Sequence, residues 1–320
     1  MQELKINKND AGQRLDKFIT KTLDIPMSLL YKSIRLKKIK INRKRAEAST
    51  ILCEGDTIQC FLADSFFQKD NKENEQLSKI IPRLSIVYED ENIMLLNKRP
   101  GVSVHEDEHG SNGTLITHVI AYLYQNGEYD PDSEQSFTPA LCNRIDRNTG
   151  GIVIAAKNAE ALRIMNEKIK NREIDKFYLA AIHGIPPKTQ DTLTGYLLKD
   201  EKNNIVKVYD KNPPKAAKNI ITKYKVIANA KDSTLIEVEL LTGRTHQIRA
   251  HMAFIGHPLI GDGKYGINKN ERAKGYKYQA LYSYRLRFNF TGEPCMLDYL
   301  NGKEFKIDKR DIYFTADYFK

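Results

Sequence analysis

Short apolar or alternating runs follow one another closely between residues 84 and 290, and few are long enough for a helix. LSIVY (84–88) and IMLLN (93–97) flank Glu89-Asp90-Glu91-Asn92, the pattern of a hairpin. GIVIAA (151–156) is continuously apolar, as a strand buried on both faces must be. FYLAAIHG (177–184) reads as another strand. TLIEVELL (234–241) sets Glu237 and Glu239 against Val238 and Leu240, which gives a strand one wet face. Tyr284, Leu286, Phe288 and Phe290 alternate with Arg285, Arg287 and Asn289 in the same way. Helices are expected at 114–124 and in the stretch after Asn158, which caps a helix turning Leu162, Met165 and Ile169 inward, and another opens near Thr245. Strands outnumber helices and are often neighbours in sequence. The expected fold class is therefore α+β, with a mixed, mainly antiparallel sheet rather than a doubly wound one.

The first 62 residues differ in character. They hold 13 Lys and Arg against 7 Asp and Glu, a surplus of +6 out of a whole-chain net charge of +10. Asp10 is placed to cap a helix whose apolar residues are Leu15, Phe18, Ile19 and Leu23. Pro26 ends it, and a second helix follows with Met27, Leu30, Tyr31 and Ile34 on one side. KKIKIN (37–42) and TIQCFL (57–62) read as strands, with a turn at Gly55-Asp56. Arg14, Lys17, Lys32 and Arg35 fall largely outside the apolar stripes. The polar segment 63–80 reads as a linker that Phe66 and Phe67 could dock.

Composition excludes several classes. A basic surplus favours an anionic partner, nucleic acid before membrane. No run approaches the ~18 apolar residues of a membrane span. The opening MQELKINKND lacks the apolar core of a secretory signal. Cys53, Cys60, Cys142 and Cys295 form no CxxC pair, against a disulfide scaffold or zinc ribbon, so a reduced, cytoplasmic compartment is expected. GxGxxG, HExxH and GxSxG are absent. GDGKYG (261–266) is not a P-loop, because Pro258 and Tyr265 stand where glycine and Ser/Thr are needed. His246 and His251 are five apart, ~140° on a helix, and read as ordinary hydrogen-bonded histidines.

Two segments are chemically dense. NRIDRNTGG (143–151) gathers Arg144, Asp146 and Arg147 before a Gly-Gly turn. Flanking guanidinium groups keep a carboxylate ionised, which suits a nucleophile and equally a structural salt bridge. Spacing alone favours the salt bridge. TGRTHQIRAHMAFIGHPLIGD (242–262) places Arg244, His246 and Arg249 where a helix opens near Thr245, as a site or an anion-binding helix start would.

Taken in order, these segments resemble the RluA-type RNA pseudouridine synthases, preceded by an S4-type RNA-binding domain. YEDENIMLLNKRPGVSVH (88–105) is similar to the family's opening motif. NRIDRNTGG resembles its catalytic loop, HRLDxxTSG, with Asn143, Ile145 and Gly151 read as departures. KFYLAAIHG (176–184) resembles K-x-Y-x-A-x-x-x-G, and TGRTHQIRAH with GHPLIGDGKYG (256–266) resembles the last motif. QRLDKFI (13–19), KIKIN (38–42) and GDTI (55–58) carry the S4 likeness, with Lys37 and Arg43 where such domains often have glycine.

The resemblance implies an S4-type α/β module at 1–62, a linker at 63–80 and a catalytic domain of pseudouridine synthase type at 81–320. It implies isomerisation of uridine to pseudouridine in structured RNA, large-subunit rRNA first and tRNA second, in a cytoplasmic monomer. No cofactor and no metal are implied, and no membrane partner. Asp146 is implied as the catalytic aspartate, Arg249 as its basic partner, and Tyr178 as the active-site tyrosine. Arg144 is implied to enter the space left by the flipped base, and Ile152 and Leu241 to line the uracil site. Arg14, Lys17, Lys32 and Arg35 are implied phosphate contacts. His105, His183 and His257 are expected to be structural. Three rival readings stand beside this one. They are a catalytically silent RNA-binding or ribosome-assembly factor, a hydrolase that cuts the glycosidic bond without rejoining it, and a metal-dependent nuclease.

Overall fold

The computed structural model describes residues 1–67, 72–105, 113–266 and 275–319. Two compact units emerge. One comprises Met1–Arg83, His118–Ala140 and Lys157–Arg163, and the other Leu84–Thr117, Leu141–Ala156 and Ile164–Lys320.

In the first unit, strand β1 (Gln2–Lys5) precedes helices α1 (Leu15–Thr22) and α2 (Met27–Arg35). Strands β2 (Ile39–Ile41), β3 (Lys44–Arg45) and β4 (Thr57–Cys60) complete an antiparallel sheet of order β1-β4-β2-β3. Leu15, Phe18 and Ile19 lie on one face of α1 because they sit three and four residues apart. They bury against Leu30, Ile39, Leu52 and Ile58. Asp10 does not cap α1. Arg14 occupies the N-cap without a side-chain bond, and buried Asp10 instead accepts from the Ser136 hydroxyl (2.6 Å) and the Gln135 amide (2.9 Å). The segment read as a linker carries a 3-10 turn at Asp64–Phe67 and helix α3 (Lys72–Lys79). Phe66 and Phe67 pack on the core, and the Gln125 amide donates to the Leu77 and Ile80 carbonyls.

Lys37 and Arg43 take left-handed backbone, at φ +60° and +65°. The expected turns therefore form without glycine. Arg43 follows Asn42 (φ +49°) in a two-residue turn between β2 and β3, where Asn-Gly is the favoured pair. Asn42 offsets part of the strain by donating to Asp56 (2.7 Å) and accepting the Thr57 N–H (2.9 Å).

The second unit is built on one large sheet. Its strands are β5 (Ile86–Glu89), β6 (Ile93–Lys98), β8 (Gly150–Ala156), β9 (Ile174–His183), β10 (Gln190–Asp200), β11 (Ile205–Tyr209), β12 (Lys218–Asn229), β13 (Ser233–Leu240) and β14 (Leu281–Phe288). The order is β11-β10-β12-β13-β9-β14-β8-β6-β5. The two-residue β7 (Ala140–Leu141) pairs with β8, and β15 (Glu304–Lys306) with β14. Strands β8 and β14 run parallel, and the other registered neighbours are antiparallel. Every residue of β8 is buried, as its unbroken apolar run requires. Helix α4 (Leu115–Gln125) matches the expected 114–124, and α5 (Ala159–Lys170) is capped by Asn158, which accepts the Ala161 N–H at 2.8 Å. Helix α6 (Gln247–Phe254) lays Ile248 and Met252 against Tyr178, Tyr224 and Val238, and Ala250 against Leu197, Val206 and Ile220.

Arg43→Gly relieves a left-handed backbone that is unfavourable by roughly 1–2 kcal/mol for an L residue, less the entropy that glycine loses. The urea midpoint of the variant is expected to rise, by about 0.5–1 kcal/mol of stability. A lower midpoint would show that the Arg43 side chain itself holds the turn.

Candidate active site

The second unit contains a cavity of about 740 Å³. Its walls come from loop 142–149, from Lys176 and Tyr178 on β9, from Leu240 at the end of β13, and from 243–249 at the start of α6.

Loop 142–149 is anchored at both ends. The Asn143 carboxamide accepts the Ile154 N–H at 2.8 Å, so asparagine at this place satisfies buried backbone. Counted from Asn143, the serine of the HRLDxxTSG pattern falls on Gly150, and Gly151 is the pattern's own glycine. That corrects the reading of Gly151 as a departure. Gly150 pairs with Tyr282 and Gly151 with Ser283 across the parallel β8–β14 contact. A Cβ at Gly150 would lie 2.3 Å from the Tyr282 ring, and one at Gly151, where φ is +115°, would lie 2.1 Å from the Ser283 carbonyl oxygen. Close strand approach therefore requires glycine at Gly151, whereas at Gly150, where the pattern has serine, a Cβ would meet the Tyr282 ring. Within the loop, the Thr149 N–H donates to the Asp146 carbonyl at 3.0 Å, which turns the Asp146 side chain onto the cavity wall.

Helix α6 is fixed by Gln247. Its carbonyl oxygen accepts from the Thr242 hydroxyl (2.9 Å) and the Arg244 N–H (3.1 Å). Its amide donates to the Ile221 carbonyl and the Thr222 hydroxyl, both at 3.0 Å. With its first turn pinned to β12, the helix carries Arg249 between two carboxylates. Nε and Nη2 donate to Asp262 at 2.7 and 2.8 Å, and Nη1 donates to Asp146 Oδ2 at 2.9 Å. The Asp262 side chain is fully buried and that of Arg249 is 6% exposed, whereas that of Asp146 is 27% exposed. Burial opposes the Asp262 charge, but the Arg249 fork and the Lys264 and Tyr265 N–H groups hold its carboxyl below the usual range. A bidentate pair of this kind fixes both distance and plane, which Lys cannot do.

Three further groups complete the surroundings. Tyr178 is 6% exposed, and burial pushes its phenol up to about 12. It is a neutral hydroxyl at pH 7, a flat wall with a polar tip rather than a ready base. Lys98 is 1% exposed and donates to the carbonyls of Val102 (2.8 Å), Arg147 (2.9 Å) and Arg99 (3.2 Å). It ties the end of β6 to the Asp146 loop, and burial lowers its ammonium to about 7 against the pull of Asp146. His246 Nε2 lies 3.7 Å from Asp146 Oδ2.

The structure therefore brings Asp146, Arg144, Tyr178 and Arg249 to one cavity. Arg144 is exposed there and pairs with no carboxylate among the described residues. Arg14, Lys17, Lys32 and Arg35 belong to the first unit. Lys17, Lys32 and Arg35 are exposed, whereas Arg14 is bonded to buried Asp16 at 2.7 and 3.1 Å. Ile152 is buried in β8, and Leu240 rather than Leu241 lies on the wall. His105, expected to be structural, also lines the cavity. His251 fits the reading of an ordinary core histidine. It is hydrogen-bonded to Thr222 at 3.0 Å, and burial pushes its imidazole down to about 4. Among the described residues no group of three or more His, Cys, Asp and Glu side chains is placed to hold a metal ion, and no helix is long and apolar enough to cross a membrane.

Sequence reasoning missed Asp262, Lys98 and Tyr265. All three stand in segments that carry the family likeness, GHPLIGDGKYG for Asp262 and Tyr265 and YEDENIMLLNKRPGVSVH for Lys98, but nothing local marks them as site groups.

Comparison with known proteins gives a consistent picture. The family model described as RNA pseudouridylate synthase matches residues 92–254. Ribosomal large subunit pseudouridine synthase C of Vibrio vulnificus (strain CMCP6) is 32% identical over 314 residues, covering 95% of this chain and 94% of that protein. The protein of the same name from Buchnera aphidicola subsp. Baizongia pistaciae is 35% identical, over 83% of this chain and 81% of its own. Among solved structures, Human RNA Pseudouridylate Synthase Domain Containing 1 superposes with a TM-score of 0.53 at 22% identity, over 69% of this chain and 87% of that one. At that identity the match speaks to the fold.

Arg249→Lys keeps the charge and loses the fork. Leaving buried Asp262 half-paired is expected to lower stability by about 2–4 kcal/mol, measured by urea unfolding. An unchanged midpoint would mean that the pair does not organise the site.

Proposed function

The chain belongs to the RNA pseudouridylate synthase family, and from that premise we propose that its substrate is large-subunit ribosomal RNA and that Asp146 is its catalytic carboxylate. The observation that carries the second part is the single guanidinium that grips buried Asp262 and offers Asp146 at a cavity wall. Support for the first part comes from the relatives, which are named for the large ribosomal subunit.

The chemistry needs an ionised, oriented carboxylate. Pseudouridine formation breaks the bond between ribose C1′ and uracil N1 and rejoins the base through C5. An aspartate can begin this by attacking C1′, or by taking the C2′ proton to give a glycal. Both routes use the same charged oxygen, and Arg249 serves both. The uracil must first leave its stack, which is unfavourable by a few kcal/mol. Arg144, exposed at the cavity, is the side chain proposed to fill the space it vacates. Tyr178 is proposed to stack on the base while it turns, its neutral hydroxyl available to relay the C5 proton.

Residues 1–62 are proposed as an S4-type RNA-binding domain, 63–80 as its linker and 81–320 as the catalytic domain, working in the cytoplasm. The exposed Lys17, Lys32 and Arg35 are the proposed phosphate contacts, positioning the RNA without reading its sequence. Arg14 is a weaker candidate because Asp16 already neutralises it.

Ribosomal RNA tritiated at uracil C5 tests the chemistry, since rejoining through C5 releases that hydrogen. Asp146→Asn is expected to release less than about 1% of the wild-type label while binding the RNA equally well. Release at the wild-type rate would remove Asp146 from this role, and free uracil in place of pseudouridine would make the protein a glycosidic hydrolase. Replacing Lys17, Lys32 and Arg35 together by Ala is expected to weaken binding and flatten the slope of log K against log salt by roughly 2. An unchanged slope would exclude those residues as phosphate contacts.

A further inference from the structure

His246 opens helix α6 in a left-handed conformation, φ +53° and ψ +17°, with its side chain 9% exposed. Such backbone is unfavourable for an L residue, and strain of this kind collects where a side chain has a task. The hydrogen bonds around its ring define that task. The Tyr265 hydroxyl oxygen accepts the Val206 N–H at 2.9 Å, and it lies 2.9 Å from His246 Nδ1. The hydroxyl hydrogen is thereby free to point at Nδ1, and in that arrangement Nδ1 accepts. A neutral imidazole has one N–H, so the same arrangement puts the proton on Nε2. That nitrogen lies 3.7 Å from Asp146 Oδ2, the same oxygen that takes Arg249 Nη1 at 2.9 Å. No hydrogen bond from the described residues reaches Asp146 Oδ1.

We propose that His246, held as its Nε2–H tautomer by Tyr265, is a positioning residue that works with Arg249 to keep Asp146 Oδ2 engaged and to leave Oδ1 as the reacting oxygen. The inference rests on the reading of Asp146 as the catalytic carboxylate. It couples strand β11 to the reacting group, because the relay begins at the backbone of Val206. The charged and titratable groups around the ring come from three places. Asp146 faces it from loop 142–149, Arg249 from its own helix, and Asp262, Lys264 and Tyr265 from the segment 262–265. Burial lowers the imidazole below its ordinary range, and Arg249 and Lys264 lower it further against Asp146 and Asp262. The neutral form, which the relay needs, therefore persists to lower pH than in a free histidine. Protonation of Nδ1 would reverse the bond to Tyr265, with Nδ1–H donating to the phenol oxygen, and would end the arrangement that fixes the Nε2–H tautomer.

The test uses the full-length protein and its ribosomal RNA substrate, with side-chain 15N NMR and steady-state kinetics across pH. Wild-type His246 is expected to show a bare Nδ1 and a protonated Nε2. Tyr265→Phe removes one oxygen and is expected to give a tautomer mixture. Its kcat should fall about tenfold with KM within about twofold, and the acid limb of kcat should move to higher pH. His246→Ala is expected to lose more, and His246→Gln, whose amide N–H can stand where Nε2–H does, to recover part of that loss. A wild-type Nδ1–H tautomer, or a Tyr265→Phe enzyme with wild-type kcat and pH profile, would overturn the proposal. Asp146→Asn measured alongside separates the two failures. If it is inactive while Tyr265→Phe is unaffected, the relay is wrong and the aspartate stands. If it is active, the reading beneath the proposal falls.

Discussion

Arg249 holds two carboxylates on one guanidinium, and the active region is arranged around that arrangement. Its Nε and Nη2 are taken by Asp262, which is fully buried and further held by two backbone N–H groups. Only Nη1 is left for Asp146. The buried pair acts as the fixed member and the partly exposed aspartate as the presented one. A buried ion pair is not a source of stability by default, because desolvation offsets the attraction. Here it gives direction. On the proposed role of Asp146, its carboxylate must meet the ribose in one orientation and needs a partner that cannot swing, and a guanidinium anchored by two other bonds satisfies that need.

Everything that delivers those groups is backbone architecture. The parallel approach of β8 to β14 leaves no room for a Cβ at Gly151, and the loop before it carries Asp146. Gln247 holds the start of α6 by four hydrogen bonds, two to β12 at Ile221 and Thr222 and two from Thr242 and Arg244, which sets the position of Arg249. Lys98 draws the β6 end and the Arg147 carbonyl together from beneath. These contacts join far-separated stretches of chain, so the site depends on long-range pairing within the second unit.

Much of this was legible in the sequence, and what was not has identifiable reasons. Strands β8, β9 and β13 announce themselves because one is wholly buried and the others place apolar residues inward. Strands β10 to β12 went unread, since residues 190–229 carry Lys, Asn and Thr on much of their length and β10 is mostly solvated. Asp10 has the chemistry of a cap, yet tertiary partners at 135 and 136 claim it. Asp146 and Arg249 stood out by motif, while spacing alone could not tell a nucleophile from a salt bridge. Asp262 carries no local sign that it pairs with Arg249, and His246, though it stands in a dense segment beside Arg249, gives no sign of its left-handed backbone, because a buried charge and a strained histidine look like surface residues until the fold encloses them. Lys37 and Arg43 show the reverse case. They stand where glycine is expected, and the backbone adopts the glycine conformation regardless.

The central claim is that this cavity converts uridine to pseudouridine in ribosomal RNA through Asp146. Pseudouridine mapping of total cellular RNA tests it most directly, in cells carrying the gene, lacking it, or carrying Asp146→Asn. The account predicts at least one large-subunit rRNA uridine modified in the first cells and unmodified in the other two. An rRNA profile identical in all three, with the protein expressed, would contradict it.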